Sequence, residues 1–385
     1  MIPLAIPNLS DQDQKHLLNA FKSNWISTAG PQVVEFEQKF KSLIKTKYSI
    51  ACNSGTSALH IAIKLAGVMP NEEVLVPSLT FAATANTIIY NQAIPVFFNC
   101  DEFLNINVKD VETFIRKNTI FKNGKTYNKF SGRKVSAVVP VHMYGNACDI
   151  FKISNLLKKR KIKIIEDAAE SLGSIYLSGA YKGKHTGTIG NLGVFSFNSN
   201  KIITSGSGGM IVTNNKKLAE KALNITNQAK KKNNEYIHND IGFNYRMNNI
   251  CASIGLSQLK SLNFFLKKKR EIFEFYKLNL KTVNGVDIVD EPKYSKNNLW
   301  MPILKIDLKK KFKKKNFISF LREKKIQVRG CWEPLHSQKP YKKYPKYKIG
   351  NLELKTKHLV CLPCSTNIKN VELKKVVKNI KDYFK

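Results

Sequence analysis

The chain has 385 residues, with 64 basic against 28 acidic, a net charge of +36 and a hydrophobic fraction of 43%. That length fits two or three domains, and that apolar content supplies a large core, which excludes disorder over most of the chain. No run approaches the ~20 consecutive apolar residues of a spanning helix, and the opening MIPLAIPNLSDQDQ has no basic segment before its apolar one, so the expectation is a cytoplasmic protein without a secretory signal.

Along the chain, short apolar runs at 48–53, 74–77, 95–98, 137–141, 162–166, 194–197 and 210–213 read as buried strands. Amphipathic stretches at 57–66, 83–90 and 150–158 separate some of them. Strand–helix alternation of this kind implies crossovers and a largely parallel sheet covered on both faces. Ligands of such sheets sit beyond the carboxyl ends of the strands.

After about residue 250 the texture changes. A helical pattern runs over 250–280, loop signals follow at Gly285, Pro292 and Asn297, and a strand is expected in WMPILKIDL. Helices are expected at 315–324 and 371–384. The expected division is a large α/β domain over 1–255 and a linking helix with a smaller C-terminal α/β domain over 256–385. The seven scattered cysteines are expected to stay free thiols, and the lone C-x-x-C at Cys361 and Cys364 lacks the second pair of a zinc site. The lysine runs at 230–232, 267–270 and 309–315 read as solvated faces, so neither nucleic acid nor membrane is expected as a partner.

Three motifs could carry chemistry. In N-S-G-T-S-A-L, at 53–59, a strand opens a helix. Its first N–H groups, with Gly55, Thr56 and Ser57, make an anion seat, although Ser and Thr also cap helices everywhere. In I-I-E-D-A-A-E-S, at 164–171, Glu166, Asp167 and Glu170 follow an apolar run. A carboxylate there either caps a turn or fixes a proton on a bound heterocycle. In F-S-F-N-S-N-K, at 195–201, a strand leads to Lys201 and a Gly-rich loop. That lysine is either an exposed loop residue or a nucleophile for carbonyls. The three together fit a pyridoxal phosphate site: a lysine for the Schiff base, an aspartate for the pyridine nitrogen and a helix terminus for the phosphate.

The sequence resembles the DegT/DnrJ/StrS family of pyridoxal 5'-phosphate-dependent nucleotide-sugar aminotransferases over nearly its whole length. The likeness is carried by NWISTAGP, NSGTSAL, PSLTFAATAN, PVHMYG, EDAAESLG, FSFNSNK, GFNYRMNNI, WEPLH and LPCSTN. It implies fold type I, the aspartate aminotransferase-like α/β fold. By resemblance, Lys201 is the covalent lysine and proton shuttle, and Asp167 partners the pyridinium. Glu170 lies near the phenolic oxygen, and Phe81 stacks on the ring. Gly55, Thr56, Ser57 and Ser196 hold the phosphate. Asn244 reaches the phosphate of the neighbouring subunit, so the working unit is a homodimer with shared sites. Arg246 and His336 are substrate candidates. Lys201, where some members carry His, favours amino transfer over dehydration. Ser207 stands where many members have Glu. The segment 227–247, with EDAAESLG and NKIITSG, resembles the legionaminic-acid branch. The implied reaction moves an amino group from L-glutamate to C4 of a nucleotide-linked 4-keto-6-deoxy sugar, N-acetylated in that branch. A perosamine-type or 3-keto sugar aminotransferase, a non-catalytic cofactor-binding protein and a basic nucleic-acid binder are the competing readings.

Overall fold

The computed structural model describes residues 1–231, 236–309 and 311–385. Residues 232–235 of the 227–247 segment, residue 232 of the first lysine run and residue 310 of the last therefore lie outside the described residues.

Among the described residues the main sheet has eight strands, in the spatial order Tyr48–Cys52, Gly209–Thr213, Leu192–Ser196, Lys163–Asp167, Val135–Val138, Glu73–Pro77, Ile94–Phe98 and Lys346–Tyr347. From Leu192–Ser196 to Lys346–Tyr347 all neighbours are parallel. Gly209–Thr213 runs antiparallel to both of its neighbours. The seven apolar runs of the sequence all become strands of this sheet. Their interior positions are buried, except half-buried Ser49 in the edge strand Tyr48–Cys52, as continuous apolar strands covered on both faces must be.

One face packs under the helices Gly55–Leu65, Ala82–Tyr90 and Lys216–Thr226. Part of the other packs against Pro31–Ile44 and Asn249–Lys260. The helices Val108–Lys117 and Phe151–Lys159 cover the rest.

The expected single helix over 250–280 is two, Asn249–Lys260 and Leu262–Leu280, meeting at Ser261. The first buries its apolar face against the large sheet's core. Most of the second lies on a smaller core built on Val286–Ile288, Ile303–Ile306, Leu359–Cys361 and Arg329–Gly330. The first turns of this second helix, at Leu262 and Phe265, still touch the large core, so this one helix spans both. The small sheet is antiparallel, and Lys314–Glu323 and Asn370–Phe384 cover it.

The expected division at 255/256 falls inside Asn249–Lys260, and several segments cross it, among them Ser295–Lys296, which pairs antiparallel with Ile175–Tyr176. Near the N-terminus, Ile2 pairs with Ile326, Leu4 N donates to Gln327 Oε1 at 3.0 Å, and Cys364 N donates to Leu4 O at 2.7 Å. Ile2 and Leu4 are buried in the small core. In the other direction, Lys346–Tyr347 adds a strand to the large sheet beside Ile94–Phe98. All seven cysteines are free. Among the described residues no helix is long and apolar enough to cross a membrane.

Candidate active site

The carboxyl ends of the parallel strands open onto a cavity of about 370 Å³. Its first wall is the start of the helix Gly55–Leu65. Ser54 caps this helix, its hydroxyl accepting from Ser57 N at 3.0 Å and lying 2.8 Å from Ser57 Oγ. Ser57 is thus spent on the cap and does not line the cavity, whereas Gly55 and Thr56 do. A Cβ on Gly55 would stand 2.7 Å from Ser196 Cβ, so glycine is what lets the helix start lie against the strand end. The first-turn N–H groups have no partner within the helix, and its dipole is positive there, which makes an anion seat. Ser196 and Ser207 flank the seat. Ser207 Oγ donates to Asn53 O at 2.7 Å and ties the Gly-rich loop to the end of Tyr48–Cys52.

Asp167 ends the strand Lys163–Asp167 and is buried at the cavity wall. Its Oδ2 accepts from Thr84 Oγ1 at 2.8 Å and its Oδ1 from Ala169 N at 3.2 Å. Burial pushes its carboxyl above the usual range, against the pull of these donors. It makes no ion pair among the described residues. A buried carboxylate with neutral donors alone is costly, and a cationic partner relieves that cost. A pyridinium N–H is such a partner. The anion seat and this carboxylate on one cavity fit pyridoxal phosphate.

Lys201 follows the strand Leu192–Ser196. Its Nζ lies 3.2 Å from Glu170 Oε1 and 4.2 Å from the centroid of the Trp300 ring. Its side chain is 14% exposed. Glu170 Oε2 accepts from Tyr144 N at 2.8 Å. Burial raises the Glu170 carboxyl pKa, and Lys201 opposes the shift. Tyr144 adopts a left-handed φ of 52° and stacks against both Trp300 and Trp332. Trp300 Nε1 donates to Asn200 O at 2.6 Å, which fixes the chain just before Lys201. Phe81 lies 5.5 Å, centroid to centroid, from Trp332, and its ring is half-exposed toward the cavity.

The third carboxylate of the IIEDAAES motif has a different job. Glu166 accepts from His142 Nε2 at 3.0 Å and from the backbone N–H groups of Gly187, Ile189 and Gly190. His142 Nδ1 accepts from Cys148 N, so Nε2 carries the ring proton. This network braces the loop that leads into Leu192–Ser196.

Of the residues expected from sequence, Gly55, Thr56, Phe81, Asp167, Glu170, Ser196 and Lys201 come together at the cavity. Two substrate candidates do not reach it within this chain. Arg246 is held by Glu37, Nη1 to Oε1 at 2.7 Å, and by Ala51 O at 2.9 Å. His336 lies 2.6 Å from Ser78 Oγ through Nδ1 and 3.3 Å from Glu353 through Nε2. Both are buried, and both brace the fold. Asn244 is exposed, away from the cavity, with its carbonyl accepting from Asn53 Nδ2. Thr84, Trp300, Arg329 and Trp332 line the cavity without having been expected there. Thr84 and Trp332 stood inside motifs already singled out. Trp300 and Arg329 carried no linear signal.

The family model described as the DegT/DnrJ/EryC1/StrS aminotransferase family matches residues 7–381. The chain is 36% identical over 351 residues to the GDP-perosamine synthase of Escherichia coli O157:H7, covering 91% of this chain and 90% of that one. It is 31% identical over 385 residues to the UDP-4-amino-4,6-dideoxy-N-acetyl-beta-L-altrosamine transaminase of Campylobacter jejuni, covering 98% and 96%. Among solved structures it superposes on a DegT DnrJ EryC1 StrS aminotransferase from Brucella abortus with a TM-score of 0.86 at 26% identity, covering 97% and 95%.

Proposed function

The chain belongs to the DegT/DnrJ/EryC1/StrS aminotransferase family and is a pyridoxal-phosphate-dependent sugar aminotransferase, and on that premise we propose that it carries an amino group from L-glutamate to C4 of a nucleotide-linked 4-keto-6-deoxy sugar. The observation that carries the reading is the meeting of Lys201, Asp167 and the anion seat on one cavity.

Pyridoxal phosphate, when bound, supplies the electron sink and carries the amine between the two half-reactions. The N–H groups of Gly55 and Thr56 and the Ser196 hydroxyl would hold its phosphate. Asp167 keeps its ring nitrogen protonated, and Phe81 offers a ring face. Lys201 Nζ takes and returns the proton at the reacting carbon in both halves. Glu170 and the Trp300 ring set the position of that nitrogen. Trp300 and Trp332 form an aromatic wall of the cavity, with buried Tyr144 stacked against both. Arg329 brings a guanidinium to the wall, suited to an anionic substrate. The reading includes a cytoplasmic homodimer in which Asn244 serves the partner's phosphate seat.

At C2 of the sugar, an acetamido group is the first reading. The EDAAESLG and 227–247 motifs support it, as does the N-acetylated product in the name of the Campylobacter jejuni relative. A hydroxyl is the second reading, favoured by the higher identity to the perosamine synthase. The test is a panel of 4-keto sugar nucleotides with glutamate, reading product mass and configuration, and kcat/KM for acetamido against hydroxyl substrates on one nucleotide. A pocket built for the acetamido group loses ~1–3 kcal/mol, roughly tenfold or more, on the hydroxyl substrate. Equal or better rates on the hydroxyl sugar select the second reading. Amination of a 3-keto isomer alone overturns C4 delivery. Cofactor absorbance that glutamate does not bleach overturns catalysis itself.

A further inference from the structure

The positive charge of this chain is not spread evenly. Residues 113–165 hold 13 lysines and arginines and one acid, Asp149, so a third of the whole excess of +36 sits in 53 residues. Arg116, Lys134 and Lys152 are paired with Glu112, Glu72 and Asp149. The other ten cations make no ion pair among the described residues.

The fold gathers them. The strands Thr119–Lys122 and Lys125–Asn128 form a surface hairpin. It carries Lys122 and Lys125 at its tip and Lys129 and Arg133 just beyond. Thr126 Oγ1 donates to Arg160 O at 2.6 Å, which seats the hairpin against the second basic run, 158–163. Apolar side chains are exposed on and beside this hairpin: Phe130 is 81% exposed and Ile120, on the face of Lys122 and Lys125, 51%, while Phe121, on the opposite face with Thr126, is 41% exposed. Exposed aromatic and aliphatic tips set among unpaired cations are costly in water and suit an interface that is anionic outside and apolar beneath.

The placement also fits. The hairpin and the 158–163 run immediately precede the strands Val135–Val138 and Lys163–Asp167, so they lie at the amino-terminal edge of the sheet. The catalytic cavity lies at the carboxyl edge. A surface bound at the hairpin leaves the cavity open.

We infer that this hairpin and the adjoining basic run dock the enzyme on an anionic lipid bilayer. This departs from the sequence expectation of evenly solvated lysine runs and no membrane partner. Lysine and arginine near an anionic leaflet are attracted by its surface potential, and Phe130 and Ile120 insert at the headgroup boundary. A hairpin with lysines at its tip and exposed Ile120 on their face suits a plane. Single-stranded nucleic acid is instead held in a groove with stacking platforms.

The experiment uses the full-length holoenzyme with phosphatidylglycerol vesicles and phosphatidylcholine vesicles at moderate ionic strength, reading the bound fraction by sedimentation. The wild type is expected on the anionic vesicles and not on the zwitterionic ones. Lys122→Glu/Lys125→Glu and Phe130→Ser should each lower the partition coefficient about tenfold or more, with solution aminotransferase activity unchanged. Lys374→Glu/Lys378→Glu, on the exposed face of Asn370–Phe384, makes the same charge change elsewhere and should stay within about twofold of wild type. An equal loss in that control would reduce the effect to bulk charge and overturn the inference. No effect of Phe130→Ser would overturn it too, as would displacement from the vesicles by single-stranded RNA at equal anion concentration, which would make nucleic acid the partner.

Discussion

Replacing Asp167 by asparagine removes one charge and almost nothing else. The amide oxygen of the variant can still accept from Ala169 N. The amide nitrogen can donate to Thr84 Oγ1, whose own proton then turns to Thr80 Oγ1, 2.8 Å away. The fold is therefore expected to survive, and the anion seat at Gly55–Thr56 is untouched, so the cofactor still binds. What changes is the protonation of the ring nitrogen. An adjacent carboxylate shifts a titrating partner by ~1–3 pKa units, and each unit is worth ~1.4 kcal/mol. Losing it should raise the barrier by ~1.4–4 kcal/mol, which is ~10- to 1,000-fold in kcat. The assay is the single-turnover loss of cofactor absorbance with glutamate, alongside the absorbance that reports bound cofactor. A rate within about twofold of wild type, under ~0.5 kcal/mol, would falsify the pairing and leave Asp167 as a turn cap.

Lys201→Ala should abolish transamination while the far-UV circular dichroism stays as in wild type; turnover by this variant refutes the assignment of the proton shuttle. An inactive Lys201→Ala chain mixed with an inactive Asn244→Ala chain should recover part of the activity, because one site of the mixed dimer is then intact; a fully active monomer in sedimentation contradicts that. Glu166→Ala should cost ~3–5 kcal/mol of stability in denaturant titration, since it strands three backbone N–H groups and the His142 proton; a loss under ~1 kcal/mol would mean the loop rearranges. Burial pushes Asp101 up to about 7 from 3.8, so its contribution to stability is complete below pH ~4 and is lost as pH rises through about 7. Asp101→Asn keeps both hydrogen bonds, because Phe103 N and Asn105 N share a single oxygen. It should raise the melting temperature at pH 8 and much less at pH 5, and an equal gain at both would exclude titration as the cause.

The parallel sheet was legible because its strands are buried on both faces and so read as unbroken apolar runs. The catalytic half of the cavity was legible because strand end, turn and helix start are adjacent in sequence, as at Asn53–Gly55 and Ser196–Lys201. Contacts made across the chain were not. Arg246 meets Glu37 some 209 positions away, and His336 meets Ser78 across 258. Nothing local distinguishes such a brace from a substrate ligand. Trp300 reaches the site from a loop of the smaller unit, where it read as the first residue of the expected strand WMPILKIDL, which begins only at Ile303. The break at Ser261 was hidden for a related reason. The apolar pattern continues across it, and Leu256 and Leu262 on its two sides lie in the same core, so no local signal marks the turn.

Besides the turn at Ser261, the two units are joined at residues 2–4 and at the strands Ser295–Lys296 and Lys346–Tyr347. A hinge needs compliance at every crossing, and here three are main-chain ladders, with Phe97 N to Pro345 O at 2.9 Å and Leu177 N to Tyr294 O at 2.8 Å among their bonds. Swinging the small unit away would break all three. The molecule therefore behaves mechanically as one block sutured at separate points. The cavity walls come from both units, with Phe81 from the large one against Trp332 from the small one, so the relative position of these walls is fixed by the same ladders.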